Sequence, residues 1–263
     1  MDFKFIDIHS HLNDKQFDVD RDGVISRMKE EGTLALVVGT DLIMSEKAIE
    51  LATLHENLWA TVGLHPTDNR SEKFDFEIYK KMAQNPRVVG IGECGLDYFY
   101  EKTAEGREAQ KELFKQHLAL SFSVGKPLMI HCRPSTGSMD AYLDLIAMLK
   151  DCGVDIVNPP GNIHFFAGNA EIARQFIALG FTLSFTGAIT FTTDYDAVLR
   201  DIPLDHIFAE TDCPYVAPVP HRGKRNEPAY VEFVIQKIAQ VKGLSKEEVA
   251  LTMIENARRV FVF

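Results

Sequence analysis

The chain has 263 residues, 46% of them hydrophobic and 25% charged, a mixture that builds a large globular core. That length is close to the ~250 residues typical of one (β/α)8 barrel, so a single domain over residues 1–263 is expected. The net charge of −10 excludes long-range attraction to duplex DNA, which leaves nucleic-acid binding to a local patch or to bound cations.

Short β-rich runs recur along the chain with helix-like stretches between them. Phe3–His9 is the first. A helix over Val24–Glu31 then stops at Gly32, a good residue for the left-handed turn after a helix. Leu34–Gly39, Leu58–Leu64 and Val88–Glu93 follow as strands. Glu105–Val124 is long and amphipathic and ends at Gly125, before Pro127. Pro127–His131, Asn162–Phe166, Phe181–Phe185 and Ile207–Glu210 complete the series of strands. Ser245-Lys246-Glu247-Glu248 is a capping box that starts a closing helix over Ser245–Arg259. Regular βα alternation argues for a parallel sheet, and eight units for an α/β fold closed into a TIM barrel. An open doubly wound sheet is the alternative.

Four cysteines form no evident disulfide framework in a chain this size. The start Met1-Asp2-Phe3-Lys4 lacks the basic and apolar stretches of a secretory signal. No apolar run approaches the ~18 residues of a membrane span. A cytoplasmic address is expected, with no membrane association and no obligate protein partner.

Residues that bind metals fall at or just past the C-terminal ends of the predicted strands. They are His9 and His11, His65, Glu93, His131, His164 and Asp212. In a barrel of this kind, that end carries the active site. Strand periodicity puts His9 and His11 on one face with Asp7 below them. Two neutral imidazoles suit a borderline divalent metal, although His-x-His alone favours an ordinary surface pair. Glu93 closes a Gly-rich apolar strand and points into the mouth, where a buried carboxylate needs a cation or a basic partner. His131 and His164 alone read as satisfied core histidines; at neighbouring strand ends beside two acids they read as ligands. Asp7 and Glu210 are expected behind the ligands, orienting histidines, or in internal salt bridges. Cys94, Cys132 and Cys213 each follow a proposed ligand, so alternation turns them away from the metals as small buried hydrophobes. Cys152 looks like a helix-end residue.

Together these segments resemble the TatD family of metal-dependent hydrolases, in the amidohydrolase superfamily. The resemblance covers essentially the whole chain. It rests on Ile6 through Leu12, Gly63-Leu64-His65-Pro66, Gly92-Glu93-Cys94-Gly95-Leu96-Asp97-Tyr98, Ile130-His131-Cys132-Arg133, His164-Phe165-Phe166, and the block from Glu210 to Pro228. The closing Asn256 and Arg259-Val260-Phe261 also fit. Two positions depart from the family pattern: Pro134-Ser135 follow Arg133, and Ala167-Gly168 follow Phe166. Neither replaces a ligand, and both sit in loops expected to hold substrate.

The resemblance implies a TIM barrel with two divalent cations. One would be held by His9, His11, Glu93 and Asp212, and the other by Glu93, His131 and His164. It implies phosphodiester hydrolysis, usually as a DNase with 3′→5′ exonuclease character. Two cations ~3.5–4 Å apart activate a water and stabilise charge on a phosphodiester. Asp212 is placed to orient that water or take its proton, and Glu93 to bridge. His65, Arg133, His221, Arg222, Lys224 and Arg225 are candidates for phosphate oxygens. For His65 the bland alternative is a structural strand-end histidine, and for the run after Pro220 a solvated loop. Histidine-rich ligation suits Zn, Mn, Ni or Co better than Mg. DNA is the expected substrate, preferably single-stranded or frayed at its ends. A small-molecule amidohydrolase or esterase is the alternative on the same site.

Overall fold

The computed structural model describes residues 3–68, 72–152 and 161–263. Its strands are β1 (Phe5–Ser10), β2 (Thr33–Val38), β3 (Leu58–Val62), β4 (Val88–Asp97), β5 (Leu128–Arg133), β6 (Gly161–His164), β7 (Thr182–Phe185) and β8 (Ile207–Ala209). They pair in parallel in chain order, β1 to β8. All residues of β2, β4, β7 and β8 are buried, as expected where helices cover the outer face of a parallel sheet and side chains fill the inside. The sheet is a (β/α)8 TIM barrel. Its last seam forms beyond β8, where Ser10 bridges Cys213, Asp212 N donates to His9 O at 2.9 Å and His11 N to Cys213 O at 2.9 Å.

The helices are α1 (Arg21–Glu31), α2 (Leu42–Leu54), α3 (Phe76–Ala83), α4 (Ala104–Val124), α5 (Asp140–Asp151), α6 (Ala170–Ala178), α7 (Asp196–Asp201), α8 (Val231–Lys242) and α9 (Lys246–Phe261). Side-chain caps set several of their starts. The Thr103 side chain accepts from Gly106 N at α4, and Ser245 from Glu248 N at α9, as the capping box predicts. Helix α9 packs against β1 and β8, turning Val249, Met253, Val260 and Phe261 inward. No helix among the described residues is long and apolar enough to cross a membrane.

The structure corrects the predicted strands at their ends. The fourth was expected to stop at Glu93 but runs on to Asp97, pairing Gly95 with His131 and Asp97 with Arg133. Gly95 makes this possible. It has φ 137°, and a Cβ there would run into the His131 carbonyl oxygen. Glycine thus lets β4 lie close against β5, and the extension carries an extra carboxylate into the barrel mouth. The sixth strand is shorter than expected. It ends at His164, and Phe165 turns out of the sheet at φ 46°.

Candidate metal centre

The C-terminal ends of the strands enclose a cavity of about 670 Å³. His11, His65, Glu93, His131, His164 and Asp212 line it, with Arg133 and Tyr100 further up its wall. His9 lies fully buried beneath. His9 and His11 leave β1 on the same face, as period two requires, and their Nε2 atoms are 3.2 Å apart. Glu93 occupies the centre. One of its oxygens, Oε2, is 3.4 Å from His9 Nε2 and 3.6 Å from His11 Nε2. The other, Oε1, is 3.1 Å from His131 Nδ1, 3.4 Å from His65 Nε2 and 3.8 Å from His164 Nε2. Asp212 Oδ1 completes the cluster, 3.4 Å from His11 Nε2 and 3.9 Å from His9 Nε2.

These spacings fit a metal site. A cation with tetrahedral bonds of ~2.1 Å keeps its donors about 3.4 Å apart. The nitrogen and oxygen atoms here sit near that separation with no covalent reason to do so. Two imidazole nitrogens 3.2 Å apart leave at most one proton to share, whereas a cation satisfies both. The donor set of imidazoles and carboxylates is the one borderline divalent metals take. Three groups of donors each lie within 4.8 Å of one another: His9, His11 and Glu93; His9, His164 and Asp212; and His65, Glu93 and His131.

Electrostatics hold both acids ionised. Burial alone would raise the Glu93 carboxyl, but the histidines around it, His65 and His9 foremost, bring it well below the usual carboxylate range. Asp212 is lowered in the same way, against burial, by its contacts with His11, His164 and His9. The effect is mutual. Burial would lower His11 and His131, yet the neighbouring acids raise each to about 9. His9 goes the other way. Burial and the facing His164 ring, stacked at 3.5 Å, depress it in spite of Glu93.

Two carboxylates, Asp7 and Glu210, stand behind the donors. Glu210 faces His164. Its Oε1 lies 3.0 Å from His164 Nδ1, close enough for an ion pair but poorly aligned for a hydrogen bond. Ser184 Oγ and Phe165 N donate to the same carboxylate at 2.6 and 2.7 Å. Asp7 does not touch an imidazole. It accepts from Thr211 N at 2.8 Å, Thr211 Oγ1 at 2.5 Å and His9 N at 3.2 Å, and so ties β1 to the segment after β8. His9 Nδ1 is buried without a hydrogen-bond partner among the described residues. A residue not expected from the sequence also reaches the site: Asp97, whose Oδ2 is 2.9 Å from His131 Nε2. Alternation along β4 from Glu93 would have revealed it, but Gly95 resembles a strand end.

The six predicted donors come together, and His65 joins them. It was expected as a phosphate contact, yet its ring packs edge-on against His131 at 4.4 Å and its Nε2 faces Glu93. The basic run is elsewhere. His221, Arg222, Lys224 and Arg225 do not line the cavity. His221 stacks on Tyr230 at 3.8 Å, and Arg222 lies 3.6 Å over the Phe191 ring. Arg225 is a structural tie rather than a free cation. It bonds both oxygens of Asp20 at 2.7 and 2.6 Å and Glu227 Oε1 at 3.2 Å. Arg133 does line the cavity, its guanidinium 3.9 Å over Phe99. Cys94, Cys132 and Cys213 are buried, and burial pushes each thiol well above its ordinary range. Cys152 caps α5 and is exposed.

A parallel barrel with imidazoles and carboxylates converging at its mouth defines a metal-dependent hydrolase. The profile of the TatD-related DNases matches residues 6–262, and the chain belongs to that family. It is 39% identical, over 97% of this chain and 98% of the relative, to the uncharacterized metal-dependent hydrolase YabD of Bacillus subtilis (strain 168). It is 33% identical, over 97% and 98%, to the 3′-5′ ssDNA/RNA exonuclease TatD of Pectobacterium parmentieri (strain WPP163). Among solved structures, the TatD homologue YjjV of Escherichia coli K12 superposes with TM-score 0.89, at 24% identity over 100% of both chains.

Proposed function

We propose that this hydrolase cuts phosphodiester bonds of DNA from a 3′ end, preferring single-stranded or frayed ends. The observation that carries the reading is the pairing of two features in one cavity. Convergent histidines and carboxylates form its floor, and Arg133 is the one Lys or Arg among its described lining residues. A floor that holds cations together with a guanidinium on the wall suits an anionic diester better than a neutral carbonyl. The 33% identical relative named as a 3′-5′ exonuclease for ssDNA and RNA supports the same class of substrate.

His9, His11, Glu93, His131, His164 and Asp212 are the proposed ligands of two divalent cations, with Glu93 shared between them. When bound, such cations supply a nucleophilic water at neutral pH and stabilise charge on the phosphate. The remaining work belongs to the chain. Asp212 is ionised and beside the histidine pair, placed to orient the water or accept its proton. Glu210 and Asp97 fix the rings of His164 and His131. Arg133 binds a phosphate oxygen. Pro134 and Ala167, where the chain departs from the family pattern, both line the cavity and set its width.

A cavity of about 670 Å³ is also of a size that takes small molecules, which keeps the amidohydrolase or esterase reading as the second one. Purified protein assayed on labelled single-stranded DNA and on bis-p-nitrophenyl phosphate, each with and without EDTA, separates them. Chelator-sensitive hydrolysis of both is expected. Turnover of carboxylic esters or amides with neither phosphodiester cut would overturn the proposal.

A further inference from the structure

The wall of the cavity beside Arg133 carries a mostly exposed aromatic side chain. Tyr100 lines the cavity and is 66% exposed. It stands at 87° to Phe99, ring centres 5.0 Å apart, and the Arg133 guanidinium lies 3.9 Å from the Phe99 centre and 5.2 Å from that of Tyr100. The ring is left mostly open to water beside a guanidinium, at the mouth of the cavity. This is the composition of a site that takes a flat ring and a phosphate together.

The platform is anchored to the metal centre through one carboxylate. Asp97 Oδ2 is 2.9 Å from His131 Nε2, while Asp97 Oδ1 accepts from Tyr100 N at 2.8 Å. Tyr98 N donates to Arg133 O at 2.8 Å and Glu101 N to Asp97 O at 3.2 Å, so the turn after β4 is held on both sides. Arg133 itself is the register partner of Asp97, two residues beyond His131 on β5. Guanidinium and proposed metal ligand are thus set on β5, and the aromatic ring on the turn that follows its partner strand β4, tied to both by Asp97.

We propose that Tyr100 is a stacking platform for an unpaired nucleobase next to the phosphate being cut, with Arg133 holding that nucleotide's phosphate. The inference rests on the phosphodiesterase reading and adds to it the origin of single-strand preference. A base laid on Tyr100 must have left its partner strand, so a paired end reacts only after fraying. Stacking tolerates every base, because each has a π face, so little sequence preference is expected.

The test compares the parent with Tyr100→Ala and Tyr100→Trp on single-stranded oligonucleotides whose last two 3′ nucleotides are normal or base-free. Tyr100→Ala is expected to raise KM for the normal substrate roughly 5- to 150-fold, the value of one stacked base, with kcat nearly unchanged. Tyr100→Trp is expected to restore it. On the base-free substrate the three proteins are expected to be equal. An equal penalty on both substrates, or a Tyr100→Trp as poor as Tyr100→Ala, overturns the proposal. The same comparison by Kd, on phosphorothioate oligonucleotides that resist cutting, distinguishes failure of the stacking site from failure of the nuclease reading. Base-dependent binding without hydrolysis overturns the nuclease reading and leaves the stacking site. Hydrolysis without a base-dependent effect of Tyr100 overturns the stacking site alone.

Discussion

At the scale of single residues, Glu93 is the position on which most of the centre turns, because its two oxygens face different groups of histidines. Glu93→Ala is expected to weaken both cation sites together in a metal titration, and His164→Ala mainly one. A Glu93→Ala protein that binds two cations normally would rule out the shared ligand. The thiols give the opposite expectation: Cys94→Ser, Cys132→Ser and Cys213→Ser should keep their metal content, read by elemental analysis. His117 supplies a prediction on stability. Buried in α4, it accepts from Leu64 N and contacts Leu113 O, each at 3.0 Å, and burial lowers it from 6.5 to about 4. The folded state therefore binds fewer protons than the unfolded chain between those values. The stabilisation is complete above pH 6.5 and is lost as pH falls toward 4, by about 3 kcal/mol in all. Denaturant melts of His117→Gln against the parent should show a flatter pH dependence across that window. The predicted donors were legible as residue types at strand ends. The pairing of Arg225 was not, since its partner Asp20 is distant in sequence and a basic run looks the same whether its charges are free or engaged.

Secondary-structure elements were readable where a single period ran uninterrupted, and least readable where the chain trades a side chain for proximity. Strand β4 is the case. Gly95 looks like a terminator, yet its missing Cβ is what lets β4 continue beside β5 and bring Asp97 to His131. Two expectations follow. Gly95→Ala should lower stability by at least about 2 kcal/mol in thermal or chemical melts, since it adds strain at a positive φ to a clash with backbone. Asp97→Asn should keep the fold and cost about 10- to 100-fold in metal affinity or activity, the usual effect of removing the partner of a ligand histidine. An unchanged metal titration for Asp97→Asn would mean that His131 does not depend on it.

For the molecule as a whole, the charge of −10 and a cavity with a single guanidinium among its described lining residues predict a substrate taken by its end. Activity on oligonucleotides should fall as salt rises, because phosphate contacts release counterions. Linear single strands should be cut much faster than circular ones; equal rates would point to an endonuclease. The structure also sharpens what the basic run can contribute. Arg222→Ala and Lys224→Ala alter exposed positions outside the cavity, so any effect should appear on long oligonucleotides and not on a one-phosphate diester. Arg225→Ala should instead reduce stability, as it breaks the tie to Asp20 and Glu227.

The seam between the first and last strands has a consequence in time. His9 and His11 leave the ribosome long before Asp212 and the Thr211 that Asp7 clamps. Until β8 docks against β1, the imidazole pair lacks its second carboxylate and the barrel lacks its closing bridge. The donor cluster is therefore expected to be complete only once the segment after β8 is in place. A chain released before residue 207 should show no hydrolysis, whatever metal it is offered.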